Sequence, residues 1–136
     1  MTNNGSNVWG VSFSRISYLR SVLASHRNLT ILGRHDDIIF EAVRQKQGDH
    51  LTIACVDAYA AGVELVLRVL EAFPKVNVIY VGGNWNGYTN EALEFSKSQN
   101  IGIFHGIEII PALFEDAFWN YEKLDADGNS TRGRTY

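Results

Sequence analysis

Apolar positions recur along this chain with two periods, and the switch between them lays out its elements. From Phe13 to Ser25, Ile16, Leu19 and Leu23 fall on one face with Val22 beside them, while Arg15 and Arg20 fall away from that line; the spacing predicts an amphipathic helix. Two short β-branched runs follow. LTILG, closed by Gly33, and DIIFEAV, centred on Ile39, each predict a strand. The polar segment RQKQGDH, with Gly48-Asp49 in it, predicts a hairpin turn into a third strand, LTIACV, whose unbroken apolar character implies burial on both faces.

Between Ala60 and Phe73 the helical period returns. Val63, Val66, Leu67 and Leu70 recur opposite a polar stripe of Glu64, Arg68 and Glu71, and Glu64 and Arg68 have the spacing of an ion pair along a helix. Pro74-Lys75 ends that helix and VNVIYV reads as a fourth strand. Gly82-Gly83 breaks the strand, Asn86-Gly87 turns, and Thr89 or Asn90 caps a helix running to about Gln99, with Glu91 near its positive end. IGIF is a fifth short strand. A last helix, with Pro111 near its first turn, spaces Leu113, Phe114, Ala117, Phe118 and Tyr121 along one side.

The resulting order is helix, three strands, helix, strand, helix, strand, helix. Three successive strands exclude a pure doubly wound domain, and the alternating second half requires parallel pairing. The expectation is therefore one α/β domain over residues 1–124, with a mixed central sheet and helices on both faces. The tail LDADGNSTRGRTY is polar and glycine-containing, and residues 125–136 are expected to fray.

Composition narrows the function classes. A chain of 136 residues, 46% hydrophobic and 20% charged, has the size and make-up of one globular domain. The start, MTNNGSN, carries no basic-then-apolar signal pattern, and no apolar run approaches the roughly 20 residues of a bilayer span, so a soluble cytoplasmic protein without a membrane partner is expected. The single cysteine, Cys55, excludes an internal disulfide and reads as a buried, inert strand residue. The net charge of −3 is uneven, with residues 1–50 at +2 and the remainder at −5. A nucleic-acid contact would favour the N-terminal part, through Arg15, Arg20 and Arg34, with Trp85 and Tyr88 either stacking on bases or covering the sheet edge. The overall acidity tilts the expectation towards a protein partner.

The second half carries a resemblance. Gly87-Tyr88-Thr89-Asn90-Glu91-Ala92, followed by Ile101-Gly102-Ile103-Phe104-His105-Gly106, resembles the G-(F/Y)-T-x-x-A turn and the I-x-L-I-D-G strand of the Mrr-type branch of the restriction-endonuclease-like, or PD-(D/E)xK, nuclease superfamily; element order agrees over roughly residues 10–114. The resemblance implies a three-layer α/β/α fold of order αβββαβαβα. It also implies one or two Mg²⁺ or Mn²⁺ ions held between an Asp at the start of the second strand and a (D/E/Q)-x-K on the third. Asp37 falls on the family's Asp. On the third strand the pattern L-V-(E/Q)-C-K meets Thr52-Ile53-Ala54-Cys55-Val56-Asp57, so that, with Cys55 as register, Ala54 stands at the ligand position and Val56 at the lysine position.

Neither side chain binds a metal or moves a proton. The function this implies is a catalytically degenerate endonuclease-like domain that needs no cofactor and acts by binding a protein or nucleic-acid partner, in defence, mobile-element or toxin–immunity biology. The alternative is an active metal-dependent nuclease with a migrated acidic site, in which Asp37 and Asp57 hold Mg²⁺ or Mn²⁺ with Glu41 nearby. A one-residue shift along a strand turns a side chain to the other face, and Asp57 has a simpler role in capping the following helix.

Other residues invite chemistry and have plainer readings. His35-Asp36 is either a metal or acid–base cluster with Asp37 or a polar turn, and His26, His50 and His105 read as structural. Gly82 to Gly87 has backbone N–H groups to offer a phosphate but lacks the nucleotide-loop patterns. Asp125-Ala126-Asp127-Gly128 fails the spacing of a calcium loop. Phe118, Trp119 and Tyr121 make the last helix unusually aromatic, giving either a partner or homodimer surface or a larger core.

Overall fold

A computed structural model describes residues 4–83, 85–122 and 127. Its elements are α1 (Phe13–Ala24), β1 (Leu29–His35), β2 (Ile39–Arg44), β3 (His50–Cys55), α2 (Val63–Ala72), β4 (Val78–Tyr80), α3 (Asn90–Ser98), β5 (Gly102–Phe104) and α4 (Ile109–Ala112), followed by a 3-10 turn at Phe118–Asn120. The expected tail lies, Asp127 apart, outside the described residues. The five strands join in chain order as one mixed sheet, antiparallel from β1 to β3 and parallel from β3 to β5.

Local chemistry explains why each element starts where it does. Ser12 caps α1 by accepting the Arg15 N–H, and Ile16, Leu19 and Leu23 are its buried face, as the spacing predicts. Thr89, one of the two expected caps, accepts the Ala92 N–H at 3.0 Å and starts α3. The first hairpin turns through Asp36 and Asp37, both with positive φ (50° and 65°), a conformation that short acidic side chains tolerate better than most. Asp37 thus lies in the turn before β2 and does not head the strand.

The two crossovers, β3–α2–β4 and β4–α3–β5, run in the same direction across the sheet, so right-handed connections place α2 and α3 on one face, where they touch. That face carries the row of Ile39, Glu41, Thr52 and Ala54, and the C-terminal end of α2 lies beside it. Helix α1 contacts β1 and β3 from the other side, where Tyr18 lies near Tyr80 in the row of Cys55. Within α2 the buried residues are Val66 and Val69; Leu67, expected inside, is 49% exposed. Arg68 is turned to a partner other than the expected Glu64, its guanidinium lying 4.9 Å over the Trp9 ring.

The last helix departs most from expectation. It stops at Ala112, and the chain continues through turns to the short 3-10 segment. Donors from elsewhere take the carbonyls that a longer helix would use: Asn28 Nδ2 donates to Leu113 O, Gln47 Nε2 to Phe114 O, and Arg44 Nη1 to Glu115 O at 2.6 Å. Arg44 is 1% exposed and its guanidinium also pairs with both Asp49 oxygens at 2.7 Å and lies 5.1 Å from the Phe118 ring centre. Phe118 is 2% exposed, packed above Gly102, where an added Cβ would come within 2.9 Å of it. It is therefore core and not a partner surface, while Trp119 and Tyr121 are half-buried against that core.

Candidate functional site

The end of the sheet where β2 begins and β3 finishes gathers two of the expected acids. Asp37, 1% exposed, is enclosed by donors: Oδ2 accepts the Gly5 N–H and the Asn7 amide, each at 2.8 Å, and Oδ1 accepts Arg34 Nη1 at 2.8 Å. Arg34 also donates to the Asp37 carbonyl, while Asn4 accepts from its other terminal nitrogen. Burial alone would push the Asp37 carboxyl up. The Asn7, Gly5 and Arg34 hydrogen bonds outweigh it and hold the group below the usual carboxylate range.

Asp57 lies just past β3 and is served by other donors. Its Oδ1 accepts Asn86 Nδ2 at 2.6 Å, and its Oδ2 is 3.5 Å from Arg15 Nε. Asn86 Nδ2 also donates to Val81 O, which folds the Gly82-Gly83 turn onto the carboxylate. The turn is closed there, because Gly82 has φ of 121° and a Cβ on it would overlap the Asn86 amide. Asp57 therefore braces a loop and does not cap α2, whose N-cap is Gly62 without a side-chain bond.

Between the two acids lie the positions that decide the chemistry. Ala54 and Cys55 are fully buried and Val56 is 2% exposed, so the β3 strand has no polar side chain to offer there. The Cys55 thiol is pushed up to about 12, by burial first and then by the nearby Asp57 charge, which keeps it protonated and unreactive. The resemblance implies a cation between Asp37 and the position of Ala54, and the migrated-site alternative one between Asp37 and Asp57; the structure has guanidinium groups on both acids, Arg34 on Asp37 and Arg15 on Asp57.

Glu41 does not join this pair. Register sets it opposite Thr52, in the row that continues through Ala54, whereas Asp57 meets α1 on the Cys55 side of the sheet. Glu41 instead bonds His35 Nε2 and His50 Nε2, each at 2.7 Å, and accepts the Thr52 hydroxyl at 2.7 Å. The Asp36 carboxylate accepts from His35 Nδ1. His50 reads as structural from the sequence alone; its position two residues before Thr52, which faces Glu41 across the strands, is the signal that ties it to Glu41.

The expected nucleic-acid contacts are scattered in a similar way. Arg20 is exposed and shares a groove of about 240 Å³ with Ile31, Gly33, Arg34 and Phe40, but Arg15 and Arg34 are engaged with carboxylates. Tyr88 is fully buried, its hydroxyl donating to Glu108 Oε1 at 2.9 Å, so it cannot stack on a base. Trp85 is 78% exposed, in company with Tyr59 at 62% and Ile107 at 63%. Backbone bonds from Gly87 to Tyr59 and from Gly106 to Gly82 stitch the three loops that carry them at one end of the parallel strands. Among the described residues no helix is long and apolar enough to cross a membrane. No protein-family model matches the chain, and neither a curated protein nor a solved structure is significantly similar to it.

Proposed function

We propose that this chain is a restriction-endonuclease-like domain that has given up metal-dependent hydrolysis and acts by binding a partner, a protein in preference to a nucleic acid. The observation that carries the reading is the exchange of cations. Asp37 and Asp57 are each satisfied by an arginine and an amide, and Ala54 and Val56 lie buried between them with nothing to coordinate an ion. The mixed sheet and the order of helices and strands are what the Mrr-type resemblance implies, and so support it.

The binding end is the loop cluster after β3, β4 and β5. Open sheets with parallel strands bind ligands beyond the carboxyl ends of those strands, and here that end exposes Tyr59, Trp85 and Ile107 beside the arginine-paired acids. Exposed aromatic and aliphatic side chains in one place suit the apolar centre of a protein interface. Two measurements separate the partner classes: capture with tagged protein, and filter binding to DNA and RNA over a salt series. Specific capture lost in Trp85→Ala, with nucleic-acid binding weak at all salt concentrations, is the expected result. Tight binding that falls steeply with salt assigns the partner to nucleic acid instead.

A further inference from the structure

We propose that His35, Glu41 and His50 form a binding site for a borderline divalent transition ion, with Zn²⁺ as the type case, on the sheet face opposite the Asp57–Arg15 pair. The three residues lie on three adjacent strands: His35 ends β1, Glu41 is in β2 and His50 opens β3. Both imidazoles aim Nε2 at one carboxylate, at 2.7 Å from separate oxygens. Donors that share an ion at about 2.0–2.1 Å lie about 3 Å apart, so each histidine–carboxylate pair already has nearly the spacing of a coordination edge. Two nitrogens and a carboxylate select zinc-like ions over magnesium, which prefers an all-oxygen shell.

The surroundings are those of a ligand set. Asp36 accepts from His35 Nδ1, the carboxylate–histidine arrangement that fixes the tautomer of a metal-binding ring, and Thr52 holds one Glu41 oxygen at 2.7 Å. His35, Glu41 and His50 side chains are 47%, 24% and 51% exposed, so an ion has a path in from solvent. Glu41 and His50 also line a cleft of about 510 Å³ with Thr52, Lys75 and Asn77, leaving room for water or a small ligand on the ion's open side.

In the described state protons stand where the ion would go. A carboxylate accepts only, so each imidazole donates its Nε2 hydrogen to Glu41, and as they stand no three His, Cys, Asp or Glu side chains among the described residues are placed to hold a metal ion. Binding exchanges these hydrogens. His35, which donates to Asp36 as well and so carries both ring protons, releases its Nε2 proton to solvent. His50 moves its hydrogen to Nδ1, and small side-chain rotations turn both freed lone pairs and Glu41 onto the ion.

Calorimetric titration of the full, EDTA-treated chain with zinc chloride at about pH 7.5 tests the site, with a cobalt absorption spectrum as a second readout. One saturable equivalent is expected, unaffected by excess magnesium, weakened about tenfold by Asp36→Asn and lost in His35→Ala/His50→Ala. In the unsubstituted chain zinc should shift the ring resonances of His35 and His50 and leave those of His26 and His105, a result that does not depend on any variant folding. No saturable binding up to about 100 μM zinc, or binding retained by the double variant, overturns the proposal.

Discussion

Asp37 shows how one side chain is made structural. Its hydrogen bonds depress its pKa below the ordinary 3.8, so the stability it contributes is present above that value and is lost as pH falls through the lower folded value. Denaturant melts between about pH 5 and 2 should therefore show a decline in stability. Asp37→Asn should lose about 2 kcal/mol at neutral pH and flatten that decline, because an amide keeps the positive φ but cannot accept the same three donors. A variant as stable as the parent at neutral pH would contradict this account.

His35 has the opposite sign. Hydrogen bonds to Glu41 first and Asp36 second outweigh partial burial and raise its pKa above 6.5, so what it contributes is complete below 6.5 and is lost as pH rises through the folded value. An NMR titration in the presence of EDTA should place the His35 midpoint above 6.5, and Glu41→Gln should bring it down; a midpoint at or below 6.5 in the parent would contradict the geometry. That pair was legible as His35-Asp36 in the sequence. The partnership with Glu41 was not, because it depends on which residues face each other across the hairpin.

At the scale of elements, periodicity read α1 and the five strands well, because their buried faces are local properties of the sequence. The last helix was misread for a non-local reason. Its carbonyls are taken by Arg44 and Asn28, and the Arg44 bond to Glu115 spans 71 residues. Nothing local in the sequence sets Arg44 apart from the other cations of residues 1–50, yet it is buried and ties the second hairpin to the C-terminal turns. Arg44→Met, which keeps the length and removes the donors, should cost about 3 kcal/mol in denaturant melts. It should also raise hydrogen exchange at Leu113 to Tyr121 more than in β3. A loss below about 0.5 kcal/mol would mean that the helix ends for some other reason.

Gly102 makes the same point from the opposite edge of the sheet. The Phe104 and Phe118 rings occupy the space of its missing Cβ, at 2.5 and 2.9 Å from where it would stand. Gly102→Val should therefore destabilise by about 2 kcal/mol despite the better strand propensity of valine. A stabilised variant, read by thermal melting, would show that the packing of the 3-10 turn over β5 is loose.

For the whole molecule, fold class was more legible than site. A mixed sheet follows from three consecutive strands and then an alternation, and the five-strand order realises it. Site geometry turned on alternation and on long-range pairing. Glu41 lies on the far face from Asp57, Tyr88 is buried with its hydroxyl on Glu108, and Arg15 and Arg34 lie on the two acids that the migrated-site reading gives to a metal. Charge was legible in total but not in use, because the N-terminal cations that looked available to phosphate are partly neutralised within the fold.

The central claim is that guanidinium groups have taken the place of a hydrolytic metal centre between Asp37 and Asp57. It is tested most directly by incubating supercoiled plasmid and single-stranded DNA and RNA with the purified chain at high concentration, in Mg²⁺ and in Mn²⁺. No cleavage above that of a chelated control is predicted with either ion. Cleavage that depends on the metal and disappears in Asp57→Ala, with the fold retained, would contradict the claim and establish a working site that uses Asp57.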